Sequence, residues 1–398
     1  MNFKKIVDVR AYVLADKGSG GEYHDREEGH WLVDSLISNP MSKYPEYKAS
    51  RTSWGIGVLG SVVVEIELDN GIIGVATGLG GEAACFLIER HFRRFLIGQD
   101  PRDIAKIWDQ MYRASMPYGR KGLPLAALSV VDIALWDVLG LLREEPVYKL
   151  IGGATRDILD VYQTGSRPDI AQKLGFMGAK VPLPHGPADG PAGLRKNVEF
   201  LAAHRDTVGP DFPLMVDCYM SLDVTYAVEL AKAIEPIGIY WLEECLPPDD
   251  IDGHRLLKER MPTMRWTTGE HEYSRYGFRQ LITDRAIDIL QPDVMWVGGL
   301  TELLRISAMA AAYDIPVIPH GSGAYSYHFV ISQPHSPFVE YINTSPKSDQ
   351  ILPVFGKLFT NEILPQNGTI RPPDLPGWGL HLNRQGVNLH RPYKEETS

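Results

Sequence analysis

Alternating apolar and polar positions open the chain. Residues 3 to 14 predict a strand, and 61 to 69 (SVVVEIELD) a stronger one that runs into the turn Asn70-Gly71. Between them, residues 20 to 55 are rich in Gly, His and Tyr and hold no period, and an irregular stretch of that length inside a compact unit is often a functional lid. Helical spacing follows at 82 to 97, 103 to 114 and 125 to 142, which predicts a helical layer packed on the early strands.

From about residue 156 the pattern becomes a regular alternation of short apolar strand and amphipathic helix, the mark of parallel βα units. Strands are predicted at 158–163, 178–182, 213–218, 238–243, 264–269, 287–291, 315–319 and 338–342, with helices such as 194–208, 224–235, 274–283 and 300–313 between them. Strands in such an order suggest a closed barrel, which has no edges to protect. The expected fold is therefore α/β: a modified TIM barrel, (β/α)7β, over 151–364, with an α+β capping domain over 1–150. The tail from about 365 to 398, rich in Pro, Gly and Asn, is expected to fold back on the capping domain. Gly55-Ile56-Gly57-Val58-Leu59-Gly60 matches G-x-G-x-x-G, but a strand follows it where a dinucleotide site needs a helix, so it is read as a loop.

Composition narrows the partner. With 398 residues, two domains or a barrel with an added module are the natural expectation. Basic residues number 40 against 50 acidic ones and are scattered, so nothing draws the chain to nucleic acid or an anionic membrane, and a small molecule is the expected partner. No apolar run is read as approaching the roughly 18 residues of a spanning helix. Three cysteines, Cys85, Cys218 and Cys245, lack C-x-x-C spacing, which argues against a disulfide framework or zinc site and fits a reducing cytoplasm.

Residues at the C-terminal ends of barrel strands converge on one mouth. Here PLMV ends at Asp217, IYWL at Glu243-Glu244, RWTTG at Glu270-His271, DILQP at Asp293, VIP at His320 and FV at Glu340. One acid after a strand is commonly a helix cap or a solvated charge. Six consecutive deliveries to one rim are a different matter, because clustered carboxylates repel unless a cation sits among them, and an all-oxygen set favours Mg2+ over zinc.

The segments VDCY, WLEECLPP, TTGEHE, LQPDV and IPHGSG resemble the metal-binding and base motifs of the enolase superfamily, in its mandelate racemase-like subgroup. The resemblance runs from GGEYHD and MSKYPEY to the closing LNR and LHRPY. It implies dehydration of an acid sugar, L-rhamnonate foremost, with one Mg2+ per subunit and a homo-oligomer between dimer and octamer. It also implies Asp217, Glu243 and Glu270 as metal ligands, Asp293 and His320 as the acid/base dyad, and His24, Arg51 and Glu340 as substrate contacts.

The chemistry supports that implication. A proton α to a carboxylate is very weakly acidic, so its removal needs a cation, and a neutral His320 held by Asp293 could take it and return it to a departing C3 hydroxyl. His271 is either a donor of the last proton or a cap or supporting contact. Relatives with K-x-K at the second barrel strand have a base on the opposite face, whereas this chain reads Lys180-Val181-Pro182, which favours one-face elimination. Lys180 itself is either a substrate contact or a surface lysine, and Glu340 either a hydroxyl acceptor or a lysine partner. Trp31, Tyr44 and Trp54 either face a deoxysugar methyl or pack under the loop. Two alternatives remain: an epimerase or racemase on the same scaffold, and a catalytically silent sugar-acid binder.

Overall fold

The computed structural model describes residues 4–14, 30–48 and 56–394. His24, Arg51 and Trp54 lie outside these residues. In the capping domain, β1 (Ile6–Leu14), β2 (Ser61–Leu68) and β3 (Ile73–Leu79) form an antiparallel sheet. β3 carries no strong strand pattern, and its two glycines explain why. A Cβ at Gly74 would lie 2.4 Å from Val138, and one at Gly78 would lie 2.2 Å from Val130. The helix Leu123–Arg143 therefore rests directly on the strand backbone, and glycine takes the place of the branched residues that usually mark a strand.

That helix corrects one expectation from the sequence. It is long and apolar enough to cross a membrane, but it is largely buried inside the protein. Its Asp137 accepts the backbone N–H of Val75 on β3 at 2.8 Å and of Trp378 from the tail at 3.0 Å. The single helix expected over 82–97 is a helix over Gly81–Arg90 followed by a 3-10 turn at Phe92–Phe95.

The second sheet is parallel and curled: β4 (Leu159–Thr164), β5 (Ala179–Pro182), β6 (Leu214–Asp217), β7 (Leu242–Glu243), β8 (Trp266–Thr268), β9 (Ile289–Leu290) and β10 (Val339–Ile342), with β10 returning to pair with β4. The strand expected at 315–319 is reduced to the isolated bridges Leu290–Val317 and Asp293–His320. Those bridges still set His320 beside Asp293 at the rim. β11 (Thr369–Ile370) adds antiparallel to β4. β12 (Leu389–His390) pairs with Val13 and Leu14 of β1, so the tail does lie on the capping sheet. Arg391 clamps buried Glu89 there with two hydrogen bonds, at 2.6 and 2.8 Å.

Neither helix Ile251–Arg260 nor helix Ala324–Ser332 is among those named from the sequence. The second is buried at every position, so it shows no polar face and no period. Residues 30–48 sit over the barrel mouth. Trp31 donates its backbone N–H to Pro346 O and its indole N–H to Asn343 O, and Ser38 N–H reaches Leu183 O. Trp31 is thus a buried anchor, while Tyr44 is exposed.

Candidate active site

Parallel register places the acids. Asp217 and Glu243 are the last residues of β6 and β7 and pair directly across them, and Glu270 follows β8 by two residues. Each offers a carboxylate oxygen within 4.8 Å of the others. Burial, the largest influence on each, pushes Glu243 up to about 8 and Glu270 up to about 7, and raises Asp217 as well. Glu243 Oε2 accepts Trp241 Nε1 at 3.1 Å and Gln291 Nε2 at 2.8 Å. Glu270 Oε2 is buried with no hydrogen-bond partner among the described residues. An orphaned carboxyl oxygen beside two more carboxyl groups is a donor set that suits a hard divalent cation.

Beneath these acids, Lys180 and Glu340 form a buried ion pair at 3.0 Å, and Lys180 also contacts Glu243. Lys180 is 0% exposed, so the surface-lysine reading is wrong. Burial alone would lower Lys180, but Glu243 and Glu340 raise it well above its ordinary value. Burial would raise Glu340, yet Lys180 and then His320 bring it down to about 2. Burial shifts Glu243 and Asp217 upward despite the same ammonium, whereas Glu340 has His320, Thr164 and the Gly321 N–H on its side as well. Thr164 Oγ1 donates to Glu340 Oε1, and Gly321 N–H donates to Oε2 at 2.7 Å.

Two imidazoles border the acids. His320 Nδ1 lies 2.8 Å from Asp293 Oδ2, and the other Asp293 oxygen accepts Ser322 Oγ at 2.8 Å and Met295 N–H at 2.7 Å. This carboxylate is fixed from three directions, which leaves His320 Nε2 facing Glu270 Oε2 at 3.5 Å. Burial would lower His320, but Glu270, Glu340 and the Asp293 hydrogen bond raise it well above its usual value. His271 repeats the pattern: Nδ1 is 2.8 Å from Glu244 Oε2, and Nε2 is 3.7 Å from Glu270 Oε1. Against the lowering effect of burial, Glu244 and Glu270 bring His271 up to about 9. His271 caps no helix.

Glu244 stands with Glu243 at a strand end in the sequence but carries no role there, because a second glutamate after a strand looks like a solvated neighbour of the first. Strand alternation would turn it away from the barrel interior. Its backbone instead takes φ 45, which returns the side chain to the rim. Tyr219, Met220 and Ser322 also adopt left-handed conformations with φ 45, 58 and 61. Each such residue costs about 1 kcal/mol or more, and such strain clusters at functional sites.

Comparison with known proteins agrees with this geometry. Residues 38–152 match the mandelate racemase/muconate lactonizing enzyme N-terminal domain, and residues 169–386 match the enolase C-terminal domain-like family. The chain is 50% identical over 393 residues to L-rhamnonate dehydratase of Saccharopolyspora erythraea, covering 98% of this chain and 100% of that one. It is similar to a crystal structure of rhamnonate dehydratase from Gibberella zeae complexed with Mg, with 59% identity, a TM-score of 0.95 and coverage of 98% and 97%. A 3,6-anhydro-D-galactonate cycloisomerase from Zobellia galactanivorans is 28% identical with a TM-score of 0.74 and coverage of 96% and 99%. With a capping domain, a curled parallel sheet and acids at successive strand ends, the chain belongs to the mandelate racemase/muconate lactonizing enzyme family of the enolase superfamily.

Proposed function

We propose that this chain is a hydro-lyase that removes water from a six-carbon acid sugar, L-rhamnonate, to give a 2-keto-3-deoxy acid. The observation that carries the reading is the meeting of three strand-end carboxylates with a carboxylate-anchored imidazole that faces them. Full-length identity to L-rhamnonate dehydratase supports the choice of substrate.

Asp217, Glu243 and Glu270 would hold one Mg2+ per subunit, with the orphaned Glu270 Oε2 as the clearest open donor. Bound there, Mg2+ would supply the positive charge that offsets the second negative charge formed when C2 loses its proton, and would favour the neutral form of nearby His320. His320 Nε2 takes the C2 proton, while Asp293 holds Nδ1–H and steadies the imidazolium. The same imidazolium then donates to the C3 hydroxyl, which leaves as water. The enol ketonises, and His271 is assigned the delivery of that proton. His24 and Arg51 are assigned to the distal hydroxyls and the carboxylate of the sugar acid. Lys180 and Glu340, each read from the sequence as a possible substrate contact and Glu340 alternatively as the partner of a lysine, act as one pair that supports Glu243 and closes the floor of the site.

The second imidazole also favours another reading, epimerisation at C2 by two bases. A panel of acid sugars assayed for 2-keto acid with and without chelator tests the proposal. Metal-dependent product from L-rhamnonate is expected, and no product from any acid sugar with Mg2+ bound would refute it.

A further inference from the structure

Between the two carboxylate–imidazole pairs stands a residue to which no role has been given. The ring of Trp296 lies 5.2 Å from that of His271, tilted by 49°, and 5.7 Å from that of His320, tilted by 41°. Trp296 is 5% exposed. Its backbone N–H bonds to Asp293 O at 3.0 Å, so the residue is carried by the same turn that carries the His320 partner. Its indole N–H has no hydrogen-bond partner among the described residues. A buried donor left without an acceptor is destabilising, and an indole inside a core ordinarily finds a partner, as Trp31, Trp108 and Trp378 do here.

Each imidazole is held at Nδ1 by a single carboxylate and can still turn about that hydrogen bond. The indole lies beside both rings and restricts that freedom, together with Tyr219 edge-on to His271 at 5.1 Å, so that both Nε2 atoms stay directed at Glu270. The orphan donor adds a second argument, since a sugar acid brings hydroxyl oxygens to just such a surface.

We propose that Trp296 is a positioning and specificity residue for the reaction: its ring fixes the orientation of His271 and His320, and its indole N–H donates to a substrate hydroxyl. The assignment rests on the proposed dehydration. It predicts that the two halves of the side chain act on different kinetic constants. Trp296→Phe keeps a ring and deletes the donor, and Trp296→Leu deletes both.

The test is steady-state kinetics of the Mg2+-loaded wild type and both variants with L-rhamnonate, alongside thermal melts and Mg2+ affinity by calorimetry. W296F is expected to raise KM about 10-fold with kcat within about twofold, the signature of lost binding shared by ground and transition states. W296L is expected to lower kcat by a further factor of about 100 with Mg2+ affinity unchanged, on the scale of a misplaced catalytic group. Unchanged KM in W296F, or W296L no worse than W296F, would overturn the assignment. Should W296L not fold, W296F decides the question through its KM. Wild-type protein without turnover on any acid sugar would remove the reaction and this assignment together, whereas wild-type turnover with W296F unaltered removes only the assignment.

Discussion

His271 and His320 address the two oxygens of one carboxylate, with Nε2 of His271 3.7 Å from Glu270 Oε1 and Nε2 of His320 3.5 Å from Glu270 Oε2. Each is anchored at Nδ1 by an acid 2.8 Å away, Glu244 for the first and Asp293 for the second. The pairs differ in what fixes the acid. Asp293 receives Ser322 Oγ and Met295 N–H, whereas Glu244 receives the backbone N–H of His271 itself at 3.0 Å. His320 is accordingly the imidazole whose tautomer the surrounding structure determines more firmly, and it is the one assigned to the C2 proton.

His320→Asn should abolish dehydration, with a loss on the order of 1000-fold in kcat, because it removes both the base and the acid. Asp293→Asn should lower kcat on the order of 100-fold or more by allowing the wrong tautomer. Mg2+ affinity and melting temperature should stay near wild type in both. Residual activity within tenfold of wild type in H320N would assign the proton to another group.

Mg2+ affinity should rise with pH. In the metal-free site, burial holds Glu243 at about 8 and Glu270 at about 7, so both retain protons near neutrality and a cation must displace them. Affinity is therefore expected to climb from pH 6 to pH 8, with proton release visible in calorimetry as a dependence on the buffer's ionisation enthalpy. The same shifts set the sign for stability. A carboxyl whose folded value lies above its unfolded one binds more protons folded than unfolded, so these groups make the metal-free protein less stable as pH rises from about 4.5 through 8. Mg2+ should raise the melting temperature more at pH 8.5 than at pH 6.

Lys180→Met should destabilise the metal-free protein by about 3–5 kcal/mol, since it leaves Glu340 and Glu243 buried without their cation. Added Mg2+ should recover part of this loss, giving a larger rise in melting temperature than in wild type. A variant as stable as wild type would mean that Glu340 is held by Thr164 and Gly321 alone.

Asp137→Ala should cost about 1–3 kcal/mol in chemical denaturation, because the buried backbone N–H of Trp378 and the part-buried one of Val75 lose their acceptor. A loss under about 1 kcal/mol would show that water or a local shift replaces the carboxylate.

Much of the site could be read from the sequence because a barrel strand that stops at its rim leaves a titratable residue there. Asp217, Glu243, Glu270, Asp293 and His320 fall at or just past such stops and meet in the structure, whereas Glu340 is the second residue of β10 and pairs with Lys180 beneath them. What stayed hidden has physical causes. β3 was obscured because Gly74 and Gly78 admit the helix Leu123–Arg143 against its backbone. Helix Ala324–Ser332 has no period because every face is buried. Glu244 reaches the rim through a positive φ that no residue pattern marks, and Trp296 reads as an ordinary core aromatic. The burial of Lys180 follows from its place on β5 between β4 and β6, with Glu340 two strands away on β10, a relation that depends on β10 returning to pair with β4.

The most direct test of the central claim is NMR of L-rhamnonate incubated with the Mg2+-loaded protein in D2O. The account predicts loss of water and a 2-keto-3-deoxy acid carrying solvent deuterium at C3, with no reaction after chelation. Deuterium appearing at C2 of an otherwise intact six-carbon acid, without loss of the C3 hydroxyl, would contradict it.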